Sequence, residues 1–123
     1  MSKKILVVDD SKTALMMERE IVERRTTYQC VTANDGREAV EKAQQEHPDL
    51  VLMDVVMPHM NGFEACRMMR QQPATREIPI VLVTTRSEES YMEAGFASGC
   101  NDYITKPVDG AELVALVQSY LGE

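Results

Sequence analysis

Six polar side chains in this sequence have types and spacings that suit phosphoryl chemistry. They are the adjacent acids Asp9-Asp10, the lone Asp54, the hydroxyls of Thr84 and Thr85, and Lys106. Each follows a short apolar run, so each is expected just beyond the carboxyl end of a strand. Three ionised carboxylates about 4–5 Å apart repel by roughly 3–4 kcal/mol per pair at an effective dielectric near 20. Either their pKa values rise or a cation joins them. An all-oxygen cluster with few protein ligands suits Mg²⁺, which keeps several waters and is commonly shared with a phosphate. Lys106 adds a second positive charge and Thr84 a hydroxyl donor. The set amounts to an attacking carboxylate with charge neutralisation around it, and Asp54, alone on its strand, is the candidate nucleophile.

The elements that must hold these residues alternate along the chain. Strands are expected at Lys4–Val8, Gln29–Ala33, Leu50–Met53, Ile78–Val83 and Asp102–Thr105. Their continuous apolar runs fit strands covered on both faces. Helices are expected from Ser11 to about Arg25, from Asn34-Asp35-Gly36 to about Glu46, from Gly62 to Arg70, over Glu88–Ser98, and from Asp109 to Leu121. Asp109-x-x-Glu112 reads as a capping box for the last of these. Five β-α units imply a parallel sheet with helices on both faces and right-handed crossovers. In such sheets ligands bind beyond the carboxyl ends of the strands. Alone, each residue has a plainer reading, as a helix cap, a turn acid or a solvated lysine. Their arrival at the same end of one sheet is what argues for a site. Glu18 is a misfit: at 100° per residue it falls inside the apolar arc of the first helix, either paired with a nearby Arg or on a slightly rotated helix.

Composition narrows the function further. The 123 residues carry a formal charge of −7 and 44% hydrophobic residues, as expected of one folded domain. The acidity, with Lys3-Lys4 and Arg24-Arg25 the only adjacent basic pairs, argues against direct nucleic-acid contact. No apolar run is long enough for membrane insertion or a signal-peptide core. Cys30, Cys66 and Cys100 are odd in number and fit no metal-ligand spacing, which points to reduced, buried thiols and a cytoplasmic location.

The runs Ile5-Leu6-Val7-Val8-Asp9-Asp10-Ser11, Leu52-Met53-Asp54-Val55-Val56-Met57-Pro58, Ile80-Val81-Leu82-Val83-Thr84 and Asp102-Tyr103-Ile104-Thr105-Lys106-Pro107 together resemble the receiver domain of two-component response regulators, of the single-domain chemotaxis type. The resemblance spans residues 4 to 121 and implies one receiver domain over 1–123. It implies a flavodoxin-like doubly wound (βα)5 α/β fold with strand order 2-1-3-4-5. Asp54 would then be the phosphoacceptor, taking phosphate from a sensor histidine kinase. Asp9 and Asp10 would hold Mg²⁺, with Asp54 and the backbone carbonyl of Val56 as further ligands. Thr84 and Lys106 would bind phosphoryl oxygens, Tyr103 would be the switch aromatic, and the Lys106-Pro107 bond would be cis. Such a domain catalyses only its own phosphorylation and dephosphorylation, and is not otherwise an enzyme. Thr85 stands where a smaller residue is usual, and Val56 and Arg86 occupy positions that tune phosphate lifetime. An apolar Val56 cannot position attacking water, so slow phosphate loss is expected.

Phosphorylation would switch the surface of the fourth helix, fifth strand and fifth helix toward a downstream protein target or a phosphorylation-dependent dimer. Two new charge-assisted bonds of about 1.5–3 kcal/mol each nearly match the 5.5 kcal/mol or so that a full two-state switch requires. Leu113, Val114, Leu116, Val117, Tyr120 and Leu121 cover a wide apolar arc on the last helix, which fits either deep burial or an interface. Other readings are a phosphorelay intermediate, the N-terminal receiver of a longer regulator, a Mg²⁺-dependent phosphohydrolase and a flavin-binding protein. In the phosphohydrolases two acids are spaced by one residue, whereas Asp9 and Asp10 are adjacent. Against a flavin phosphate that acidic pair would be repulsive.

Overall fold

The computed structural model describes residues 3–122. Five strands, β1 (Lys4–Val8), β2 (Gln29–Ala33), β3 (Leu50–Met53), β4 (Ile80–Thr84) and β5 (Asp102–Thr105), alternate with five helices. These are α1 (Lys12–Arg25), α2 (Gly36–Glu46), α3 (Gly62–Gln71), α4 (Glu89–Ser98) and α5 (Gly110–Leu121). All strand pairs are parallel and the order is β2-β1-β3-β4-β5, the flavodoxin-like arrangement expected.

Strand alternation divides the core into two layers. Leu6, Val8, Val51, Met53, Ile80 and Leu82 face α2, α3 and the residues around α4. Ile5, Val7, Leu50, Leu52, Val81 and Val83 face α1 and α5. Because both faces are covered, β1, β3 and β4 are apolar at almost every position, which is why their runs show no alternation of polarity.

Local chemistry sets the helix ends. Ser11, Asp35, Asn61 and Asp109 each accept a backbone N–H at a helix start. Asn61 and Glu64 form a complete capping box. The box expected at Asp109 is only half made: Asp109 accepts from Ala111 and Glu112, with no return bond from Glu112. The fourth strand starts at Ile80 rather than Ile78, since the stretch before it is a turn and Pro79 brings no N–H to a ladder. It also runs on through Thr84, whose backbone pairs with Thr105.

Glu18 is buried on the face of α1 that carries Leu15 and Val22. Among the described residues no arginine pairs with it, and the helix is not rotated away from the expected face. The acid sits in the core-facing stripe itself. On α5, Leu113 and Val117 are buried, and Leu116, Tyr120 and Leu121 pack against the same layer, so burial explains most of the wide arc. Exposed apolar side chains lie instead on α1 at Met16 and Met17, on α3 at Met68, after β3 at Val56, and on α4 at Met92 and Phe96. Cys30, Cys66 and Cys100 are buried free thiols that burial pushes to higher pKa values. Among the described residues no helix is long and apolar enough to cross a membrane.

Candidate functional site

Register brings the candidate residues together. Val8 pairs with Met53 across β1 and β3, so Asp9 and Asp54, one residue further on, leave the sheet side by side. Thr84 pairs with Thr105 across β4 and β5, so Lys106 emerges next to the same edge. Backbone bonds hold this register past the strands, from Asp54 N–H to Val8 at 2.9 Å and from Lys106 N–H to Thr84 at 2.7 Å.

One carboxylate oxygen from each of Asp9, Asp10 and Asp54 lies within 4.8 Å of the others. Asp9 is fully buried, Asp54 is half-buried and Asp10 is exposed. Lys106 Nζ donates to Asp9 at 2.5 Å and stands 3.5 Å from Asp54. The second Asp9 oxygen accepts the Ser11 N–H at 2.9 Å. Asp54 accepts its neighbour's N–H, from Val55, at 2.7 Å.

The electrostatics follow from this packing. Burial pushes the Asp54 carboxyl above its usual range, and Asp9 pushes the same way against the Lys106 ammonium and the Val55 N–H. Burial works against the charge on Lys106, but its bond to Asp9 and the nearby charges of Asp54, Asp9 and Glu18 outweigh it, so its pKa is raised. One ammonium among three acids leaves the cluster net negative. Hard, all-oxygen donors in this arrangement fit a small divalent cation such as Mg²⁺.

Thr84 is 1% exposed, and its hydroxyl accepts the Arg86 N–H at 3.3 Å. Thr85 is exposed, one residue beyond. Val56 is 57% exposed, on the connection that follows Asp54. With Val55, Met57, Phe63 and Tyr91 it lines an open cleft of about 550 Å³ between the segment after Asp54 and α4. Arg86 does not point across the carboxylates. Its guanidinium lies 5.1 Å above the Tyr91 ring and 3.3 Å from Glu88. Tyr103 packs on the core layer facing α4, and its hydroxyl donates to the Arg86 carbonyl at 2.6 Å. The Lys106-Pro107 bond is cis, as the resemblance implies.

Two close approaches shape the loop around Asp54. A Cβ on Gly62 would lie 2.3 Å from the Asp54 carbonyl oxygen, and one on Gly36 would lie 2.2 Å from that of Met60. Both positions therefore need glycine for space rather than for backbone angle. Sequence reasoning did not place Glu18 near this site. Its signal was the charge at a core position of α1, and Lys106, which lines the same small cavity, is remote in sequence.

Comparison with known proteins agrees with this geometry. The family model for the response regulator receiver domain matches residues 5–118. PilH of Pseudomonas aeruginosa is 40% identical over 118 residues, covering 96% of this chain and 97% of PilH. The alkaline phosphatase synthesis transcriptional regulatory protein PhoP of Bacillus subtilis is 40% identical over 121 residues, covering 98% of this chain. The chain spans about half the length of PhoP, 49%. Among solved structures, the receiver domain of the sensor histidine kinase PA1611 from Pseudomonas aeruginosa superimposes with a TM-score of 0.91 at 29% identity, over 100% of both chains. That domain was crystallised with a magnesium ion coordinated in its active site cleft. By fold, by motif and by relatives, the chain belongs to the response regulator receiver domain family.

Proposed function

We propose that this chain relays a signal by accepting a phosphoryl group on Asp54 from the phosphohistidine of a sensor kinase. The observation that carries the reading is the convergence of Asp9, Asp10 and Asp54 around the Lys106 ammonium. An Asp54 carboxylate oxygen attacks phosphorus, the P–N bond to the imidazole breaks, and an acyl phosphate P–O bond forms. The freed imidazole nitrogen keeps the bond's electron pair and takes a proton from solvent. Mg²⁺ held by Asp9, Asp10, Asp54 and the backbone carbonyl of Val56 would supply charge neutralisation for the phosphoryl oxygens. Lys106 and the Thr84 hydroxyl supply donors from the ends of the neighbouring strands β5 and β4. Thr85, beside Thr84, limits access, while Val56 and Arg86 govern how fast water removes the group.

The same contacts drive the switch. Thr84 gives up its bond from the Arg86 N–H to reach the phosphoryl group, and Tyr103 turns into the space it leaves. The Tyr103 bond to Arg86 is then lost, at a cost of about 0.5–1.5 kcal/mol, against gains of about 1.5–3 kcal/mol at each of Lys106 and Thr84. The balance favours repacking of α4, β5 and α5, where Met92 and Phe96 are already exposed for a protein partner or a second copy. Free buried thiols and the kinase partner agree with action in the cytoplasm. The length of PilH supports a stand-alone receiver, and that of PhoP a receiver within a longer regulator. These two cases differ in what the switched face docks, not in the chemistry at Asp54.

Incubation with a small phosphodonor, followed by intact mass, tests the reading. One phosphoryl group added with Mg²⁺ and none with chelator is the expected result. An unmodified chain beside every donor, sensor kinase included, overturns it.

A further inference from the structure

The charge of this chain is unevenly spread. From Ser87 to Glu123 there are seven acids and one base, Lys106, whereas the remaining residues hold thirteen acids and twelve bases. That last stretch builds α4, β5 and α5, and its one base is turned toward Asp9 and Asp54. On α4 the buried residues Gly95 and Ser98 face inward, and a Cβ on Gly95 would lie 3.1 Å from the Tyr103 ring of β5. The outer side of the helix carries two lines at i, i+4 spacing, Met92 with Phe96 and Glu89 with Glu93. Phe96 is 49% exposed and Met92 36%. On α5 the line Glu112, Leu116, Tyr120 borders β5, because the Tyr120 hydroxyl donates to Asp102 at 3.0 Å. Among the described residues Glu89, Glu93 and Glu112 have no ion-pair partner. Arg86, which precedes α4, is held by Glu88 and lies over the Tyr91 ring.

We propose that this face docks a Lys- or Arg-rich segment of a protein partner that carries an apolar anchor. The anchor packs on Met92 and Phe96, and the flanking bases pair with Glu89, Glu93 and Glu112. The apolar contact supplies most of the affinity, while the acids select the partner and speed its approach. A second copy is a poor occupant, since a two-fold contact sets the same patch on both sides and would bring acids against acids. Nucleic acid meets the same repulsion. The exposed methionines of α1 make no such choice: beside them Arg19 pairs with Glu23 and Arg24 with Glu20, so both signs are already satisfied. The proposal rests on the reading of α4, β5 and α5 as the switched face and names the chemistry of its partner. Because Met92 and Phe96 are exposed in the chain as it stands, the unmodified protein already binds such a segment, and phosphorylation changes the affinity.

The test is a selection from a random dodecapeptide library on phage, with the immobilised, unmodified chain as bait at low salt. Enriched peptides are expected to hold Lys or Arg around an apolar residue. A synthetic, fluorescent copy of the most enriched peptide is then titrated with the protein. Phe96→Ala should weaken its binding by about tenfold or more. Raising salt from about 0.05 to about 0.5 M should weaken it on the order of tenfold. A chain carrying Glu89→Lys and Glu93→Lys should select acidic peptides instead, a reversal that a merely structural role would not produce. If that chain is unfolded, Glu89→Gln with Glu93→Gln serves, and a much smaller salt dependence is expected. Sedimentation of the wild type alone, before and after phosphodonor and Mg²⁺, should show a monomer. Acidic or neutral selected peptides, an empty selection, binding indifferent to Phe96→Ala, or a dimer that Phe96→Ala abolishes overturns the proposal. Basic peptides bound equally before and after phosphodonor treatment support the partner's chemistry and overturn the switch, so the two failures are read apart.

Discussion

Lys106 donates to Asp9 at 2.5 Å across the sheet edge, from 97 residues further along the chain. Asp9 is almost wholly enclosed, so the ion pair is what lets a charged aspartate sit there at all. Asp54 keeps the longer, 3.5 Å approach to the same ammonium. The basic residue is therefore shared between two acids, and it is poised to follow whichever gains negative charge. Phosphorylation of Asp54 adds that charge.

Acid crowding without a metal should weaken the fold. Asp10→Asn removes the exposed member of the cluster and is expected to raise the melting temperature by a few degrees in chelator. Mg²⁺ should then stabilise the wild type, by about 2.7 kcal/mol at a hundred times its dissociation constant, and the variant much less. Thermal melts with and without Mg²⁺ check both parts. A variant that still gains the full Mg²⁺ stabilisation would remove Asp10 from the ligand set.

Glu18 gives stability a pH signature of its own. Between its ordinary 4.5 and about 7, the folded chain holds a proton that the unfolded chain has released. Stability from this group is therefore full below about pH 4.5 and falls as pH rises to about 7, by up to roughly 3 kcal/mol. Asp54, also raised, acts in the same sense. Denaturant unfolding at pH 5 and pH 8 should show a smaller drop in Glu18→Gln than in the wild type, with the variant the more stable at pH 8.

Gly62 is held against the backbone of Asp54, and two main chains cannot move apart cheaply. Gly62→Ala is expected to cost roughly 1–3 kcal/mol by overpacking and to slow phosphoryl addition by displacing Asp54. Denaturant midpoints and phosphorylation rates report the two effects. At Gly122 a Cβ would meet nothing within 4 Å, so Gly122→Ala carries only the backbone cost of its positive φ and should leave the phosphorylation rate unchanged.

Tyr103 ties β5 to the segment after β4 through its hydroxyl. Tyr103→Phe removes that bond, with an expected loss of about 0.5–1.5 kcal/mol and faster amide exchange around Arg86. Freed from the Arg86 carbonyl, the ring should also adopt the inward position more often. Hydrogen exchange and side-chain NMR at position 103 measure the change.

The five β-α units and the sheet-edge position of Asp9, Asp54 and Lys106 were legible because strands buried on both faces leave unbroken apolar runs, and the polar residues that end them stand out. The proximity of Asp9 to Lys106 followed from topology rather than from spacing. What could not be read was geometry that depends on partners far apart in sequence. Glu18 was visible as an anomaly in the α1 stripe, but nothing nearby in sequence told that Lys106 lines the same cavity. The direction of Arg86, over Tyr91 instead of the acids, depends on a ring contributed by α4. The wide apolar arc of α5 fitted two outcomes, and only packing against the α1 layer separates burial from exposure.

The central claim is that Asp54, and no other carboxylate, receives the phosphoryl group. After reaction with a phosphodonor and Mg²⁺, borohydride reduces an aspartyl phosphate to homoserine, and peptide mass mapping locates it. Homoserine at position 54 alone, and none in a chain carrying Asp54→Asn, is the expected result. Homoserine at position 9 or 10, or undiminished labelling of the Asp54→Asn chain, would contradict it.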